Sequence, residues 1–86
     1  MYKVRLQRRA EKTYQWLFQN DRPLYDRIRS ALLALQDDPH AGKPLVGAWK
    51  GTWSLRVGMY RILYEVEHRV LTIHVIDIGH RREIYR

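Results

Sequence analysis

Trp53-Ser54-Leu55-Arg56-Val57-Gly58-Met59-Tyr60-Arg61-Ile62-Leu63-Tyr64-Glu65-Val66 alternates side-chain character on both sides of a glycine. Period two marks a strand with one covered face, and Gly58-Met59 fits a two-residue turn with glycine where φ must be positive. A hairpin closed by that turn sets Val57 opposite Tyr60, Arg56 opposite Arg61, Leu55 opposite Ile62 and Trp53 opposite Tyr64. One face then reads Trp53, Leu55, Val57, Tyr60, Ile62, Tyr64, which is apolar or aromatic throughout and has to lie against the core. The other face opposes two arginines. Like charges directly across a sheet are destabilising, so the pair calls either for full solvation or for an anion between them.

Working outward, a further strand from Val70 to Ile78 follows the polar turn Glu67-His68. If Val66 pairs with Arg69, then Leu71, Ile73 and Val75 join the core face and His74 falls next to Arg61 across the sheet. Leu63, Val70, Ile76 and Ile78 then share the open face with Arg56 and Arg61, leaving apolar surface for a partner segment to cover. Upstream, Tyr2, Val4 and Leu6 alternate with Lys3, Arg5 and Gln7 as a first strand. Ala10, Tyr14, Leu17 and Phe18 recur at helical spacing, with Trp16 off that stripe. Leu24, Ile28, Ala31, Leu32 and Leu35 form a second helical stripe behind Asp21 and Pro23, a cap and a first-turn proline. Pro39 ends that helix near Asp38. The stretch from Pro39 to Thr52 has no clear period, and loops of that length are usually functional or mobile. The expected fold is α+β, in the order strand, helix, helix, three strands, with a twisted, mainly antiparallel sheet and two helices on one face.

Eighty-six residues suit one domain, here 1–86, with too small a core for more than marginal stability. There is no cysteine, which removes disulfides and thiolate metal sites and fits a reducing cytoplasm. No apolar run approaches the roughly 20 residues of a membrane span, and the N-terminus lacks a signal-peptide apolar region. Sixteen basic against nine acidic residues give a net charge of +7, and arginine, whose planar fork matches phosphate, supplies most of the positive charge. That balance points to a polyanion. The first forty residues mix signs, as solvated helix faces do, whereas Pro39 to Tyr64 contains Lys43, Lys50, Arg56 and Arg61 and no acid.

The tail Gly79-His80-Arg81-Arg82-Glu83-Ile84-Tyr85-Arg86 gathers a histidine, three arginines and a tyrosine. RNA transesterification without a metal needs a base at the 2'-hydroxyl, cations on the pentavalent phosphorane and an acid at the 5'-oxygen. His80 can exchange a proton, the arginines can hold the phosphorane, and Tyr85 can stack on a base or exchange a proton. The same tail can equally bind nucleic acid passively. His40, His68, His74 and His80 lack metal-ligand spacing, and Gly47-Ala48-Trp49-Lys50-Gly51 opens no helix, so neither a metal nor a nucleotide cofactor is expected.

The run Trp53 to Val66, then Val70-Leu-Thr-Ile and Ile78-Gly-His-Arg-Arg-Glu-Ile-Tyr85, resembles the RelE branch of the RelE/ParE toxin superfamily. The resemblance implies a ribosome-dependent mRNA endonuclease of a type II toxin–antitoxin module. Such toxins cut in the A site, leave a 2',3'-cyclic phosphate and a 5'-hydroxyl, and are held inactive by a RelB-like antitoxin. It further implies a cytoplasmic protein that works on the ribosome and its message and is not a homo-oligomer when free. By the same resemblance Arg61, the arginine of Gly-x-Tyr-Arg, contacts the scissile phosphate. Arg81 stabilises the transition state or protonates the leaving group, and Tyr85 stacks on the nucleotide and orients the 2'-hydroxyl. His80 stands where the best-studied members have lysine and other branches use a C-terminal histidine as base. Hairpin lysines of those members align near Thr52 and Ser54, which are not basic, so Lys50, Arg56 or His80 has to substitute. Lys43, Lys50, Arg56 and Arg82 complete the expected RNA-binding set. The alternative within the same superfamily is a ParE-like inhibitor that binds DNA gyrase and cuts no RNA.

Overall fold

In a computed structural model that describes residues 1–84, the chain runs β1 (Lys3–Leu6), α1 (Arg8–Asn20), α2 (Arg22–Asp37), β2 (Lys43–Pro44), β3 (Trp53–Val57), β4 (Tyr60–Glu67) and β5 (Thr72–His80). The five strands form one sheet in the order β1-β5-β4-β3-β2, antiparallel throughout except for the parallel pair β1–β5. Among the described residues no helix is long and apolar enough to cross a membrane.

One residue joins the helices. The Asp21 amide donates to the Leu17 carbonyl (2.8 Å) and closes α1, while its carboxylate accepts from the Leu24 amide (3.2 Å) and opens α2. The α2 stripe enters the core as its spacing requires, with Ile28, Leu32 and Leu35 buried and Leu24 and Ala31 packed beside them. Each fully buried aliphatic side chain contributes roughly 1.5–3 kcal/mol. In α1, Ala10 and Leu17 are buried, but Phe18 leaves the expected stripe. It lies at the surface under the Arg22 guanidinium, 4.0 Å from its ring centroid, and edge-on to Tyr25.

The β3–β4 hairpin has the register its sequence dictates, from Val57 with Tyr60 to Trp53 with Tyr64, and Gly58 adopts φ +60°. Val57, Ile62 and Tyr64 are buried against the helices, with Trp53, Leu55 and Tyr60 around them.

The next connection departs from the tight turn expected at Val66 and Arg69. A 3-10 turn over His68–Val70 and a left-handed Leu71 precede β5, so Val66 pairs with Ile73. Ile73 and Val75 still reach the core, but Leu71 is exposed, and His74 lies across from Glu65 rather than Arg61. An extra residue, Ile76, then bulges from β5 between the pairs Tyr64–Val75 and Leu63–Asp77. The bulge turns Ile78 into the core, and Leu63 is fully buried as well. Neither provides the apolar open surface expected of it; of that set only Val70 is exposed, and Ile76 is half-buried.

The segment expected to be loop contains β2, paired with β3, and a 3-10 turn over Gly47–Trp49. Its path from α2 to the sheet edge requires glycine at position 42. The Gly42 amide donates to the Tyr64 hydroxyl (3.0 Å), and a Cβ there would stand 2.7 Å from the Ser54 carbonyl oxygen.

Candidate functional site

Pairing assigns faces. Ser54 and Arg56 on β3 and Arg61 on β4 project from the side of the sheet away from the helices, because their neighbours in each strand enter the core, and Lys43 on β2 shares that side as the cross-strand partner of Ser54. Together they line a cleft of about 340 Å³, with Ala41, Gly42 and Leu55 completing it and no carboxylate among the lining residues. Arg61 is half-buried and donates from Nη1 to Ser54 Oγ (3.3 Å). Arg56 is exposed and donates from Nε to the Gly58 carbonyl (3.2 Å). Two like charges about 4 Å apart repel by about 1 kcal/mol in water, a cost a hairpin can bear, and by more once water is excluded. An anion seated between them turns that repulsion into attraction, so the cleft fits a phosphate.

The far half of the same face is different. Arg5, His74 and Glu65 stand in one row across β1, β5 and β4, with Glu67 beyond them. His74 Nε2 lies 2.8 Å from Glu67 Oε1, and the Thr52 hydroxyl donates to Glu65 (3.5 Å). Here opposite signs satisfy one another, and the unbalanced positive charge is left at the Arg61 end.

At the last rungs, Arg61 pairs with Gly79 and Tyr60 with His80. His80 therefore sits on the opposite side of the sheet from Arg61, one residue along, with its ring edge-on to Tyr60 at 5.8 Å. Its Nδ1 accepts from the Arg82 amide (3.2 Å), which assigns the hydrogen of the neutral ring to Nε2. The Arg81 amide donates to the Met59 carbonyl (2.8 Å), and the amides of Glu83 and Ile84 donate to the His80 carbonyl (2.9 and 3.1 Å). The chain thus turns back on itself over residues 81–84. Ile84 is buried, and its side chain lies where a Cβ on Gly79 would point, 3.6–3.7 Å away, on the rung shared with Arg61.

Of the residues singled out in the sequence, the structure brings Lys43, Arg56 and Arg61 into one cleft. His80 belongs to the other side of the sheet, Arg81 and Arg82 are exposed in the terminal turn, and Lys50 is exposed at the end of the 3-10 turn, outside the cleft. Tyr85 lies outside the described residues. Three participants were not evident beforehand. Ser54 orients Arg61, Ile84 seats the tail, and Asp77, a lone carboxylate in an apolar strand, is buried and bound by Arg9 (3.3 Å) and by the Ile78 amide (2.9 Å). The carboxylate within Val75–Ile78 was the only signal for Asp77.

Comparison with known proteins adds independent findings. A family profile described as the ParE toxin of type II toxin–antitoxin system matches residues 4–85. Toxin YoeB of Synechocystis is 35% identical over 65 residues, 70% of this chain and 76% of that protein. Toxin RelG of Mycobacterium tuberculosis is 42% identical over 45 residues, so the match spans only about half of each chain, 52%. Among solved structures, the RelBE2 toxin–antitoxin complex of Mycobacterium tuberculosis superposes with a TM-score of 0.81 at 27% identity, covering 93% of this chain and 98% of the other.

Proposed function

This chain belongs to the ParE toxin family of type II toxin–antitoxin systems, and from that premise, joined to its likeness to Toxin RelG and Toxin YoeB, we propose that it arrests growth by cutting messenger RNA on the ribosome in the cytoplasm. The observation that carries this reading is the carboxylate-free cleft in which three strands contribute Lys43, Arg56 and Arg61. In the proposed reaction the 2'-oxygen attacks the adjacent phosphorus, its proton passes to a base, and the 5'-oxygen leaves with a proton from an acid. The products are a 2',3'-cyclic phosphate and a 5'-hydroxyl. Arg61, held by Ser54, binds the scissile phosphate; Arg56 and Lys43 spread the charge of the phosphorane; Arg81 approaches from the terminal turn.

His80 serves in proton transfer. His80 lies across the sheet from the Arg61 cleft, so this role requires the end of β5 and the terminal turn to shift, besides moving the ring hydrogen to Nδ1 and releasing the Arg82 amide. Tyr85 is proposed to stack on the nucleotide, and Lys50 and Arg82 to contact RNA outside the cleft. The ribosome supplies orientation, worth roughly 7–11 kcal/mol in reactions of this kind, which lets a site without a strong nucleophile work. The partner that restrains the toxin is a cognate RelB-like antitoxin, as in the solved RelBE2 complex.

The test incubates the purified toxin with translating ribosomes, mapping message ends by primer extension, and separately with gyrase in a supercoiling assay. Cleavage is expected in the first and no inhibition in the second. Arg61→Ala is expected to lower cleavage by roughly 100- to 1,000-fold. Arg61→Ala and Arg81→Ala are each expected to abolish growth arrest and retain antitoxin binding. Full growth arrest by both variants, or gyrase inhibition without cleavage, overturns the reading.

A further inference from the structure

Arg9, Lys12, Thr13 and Trp16 follow one another at i, i+3, i+4 and i+7, which sets them in a single stripe along α1. The stripe is distinct from the buried one of Ala10 and Leu17, and Trp16 in it is 53% exposed. It forms one wall of a furrow whose other wall is built by Tyr60, Ile78, His80 and Ile84 at the ends of β4 and β5 and in the terminal turn. Two depressions of about 370 and 440 Å³ make up the furrow, and Lys12 and Thr13 line both. β1 pairs with β5 only as far as Val75, so the furrow opens along the uncovered end of β5.

The furrow presents donors. The side chains of Lys12, Thr13 and Trp16 have no partner among the described residues. His80 has its Nδ1 occupied by the Arg82 amide, leaving Nε2 to face a ligand. Of the two carboxylates, Asp77 is already bound by Arg9 and the Ile78 amide, and Glu83 is exposed at the rim. A donor-rich channel with an exposed indole at one end and a tyrosine beside it fits an acceptor-rich, flat-ringed polymer: phosphates and ribose on Lys12 and Thr13, bases on Trp16 and Tyr60. The phosphate cleft opens on the side of the sheet away from the helices, and one rung links it to the furrow, since Gly79, which lines the furrow, is the cross-strand partner of Arg61.

We propose that this furrow between α1 and the ends of β4 and β5 is a track for single-stranded RNA, which takes up the message where it leaves the Arg61 cleft. The proposal rests on the endonuclease reading for the identity of that strand, and its test does not depend on cleavage. Fluorescein-labelled RNA made uncleavable by 2'-O-methyl groups is titrated by anisotropy at fixed salt, as a trinucleotide and as a decamer. Trp16→Ala and Lys12→Ala are each expected to weaken decamer binding by about tenfold, to leave trinucleotide binding unchanged, and to be matched by rescue in Trp16→Phe. Trp16 is at the surface, so both variants are expected to melt like wild type.

Decamer affinity unchanged in both variants overturns the track. So does a loss of affinity for purified antitoxin in Trp16→Ala with RNA binding intact, which makes the furrow a protein dock. If the wild-type protein binds the decamer through Trp16 but cuts no message on ribosomes, the track stands and the endonuclease reading falls. If message is cut and neither variant alters decamer binding, the reverse holds.

Discussion

Leu71 is the one described residue other than glycine with positive φ, at 49°. A left-handed backbone brings Cβ of an L-residue against the following carbonyl and costs roughly 1–2 kcal/mol, whereas glycine gives up about 0.5–1 kcal/mol of extra backbone entropy instead. The leucine side chain is 49% exposed and regains little of that cost by burial. Leu71→Gly is therefore expected to raise stability by about 0.5–1 kcal/mol, read as a higher urea midpoint at unchanged slope. Individual residues also show how far sequence reasoning reaches. Arg56 and Arg61 face one another as the alternation around Gly58 requires, because a two-residue turn leaves no freedom in the register. His74 lies across from Glu65 rather than Arg61, and Asp77 is buried on Arg9 and the Ile78 amide. Both depend on a turn and a bulge that no local pattern of apolar residues specifies.

The same distinction holds for the elements. The helices were legible because each has an apolar stripe and a punctuating residue, Asp21 at the junction and Pro39 at the end. The hairpin was legible through its glycine. The β4–β5 connection was not, since Val70 and Leu71 read as strand residues by composition but sit in a 3-10 turn and its left-handed exit. β2 was not either, because two residues are too few for a period. Besides its bonds to His80, the terminal turn is held by the Arg81 amide on Met59 and by Ile84 on Gly79. Truncating a buried isoleucine to alanine costs about 2–5 kcal/mol, but this anchor belongs to a peripheral segment able to open without the core. Ile84→Ala is expected to speed hydrogen exchange at the amides of positions 83 and 84 and to lower message cleavage at least about tenfold. The core is expected to melt within a few degrees of wild type. Unaltered exchange at both positions shows that the side chain does not hold the turn.

Across the whole molecule, the polar groups closed into the core set an upper pH limit. The Tyr64 hydroxyl is raised above its ordinary pKa of 10.0 by burial, partly offset by the Gly42 amide it accepts from, and Tyr14 is raised by burial and by Tyr25. The folded protein keeps these protons where the unfolded chain releases them. Their contribution to stability is thus complete below pH 10.0 and is lost as the pH climbs through the higher folded values. Urea midpoints are expected to fall between about pH 9 and about pH 11, and less steeply in Tyr64→Phe. That variant also leaves the Gly42 amide without its acceptor, at about 1–3 kcal/mol where the amide is cut off from water. The sheet, finally, joins its first strand to its last, for among the described residues β1 has a single strand partner, β5. During synthesis Lys3–Leu6 leaves the ribosome well before Thr72–Val75, and it can pair only after that later strand has emerged. Biosynthesis thus carries a built-in delay: the sheet can close only once the whole span from Lys3 to Val75 is clear of the ribosome.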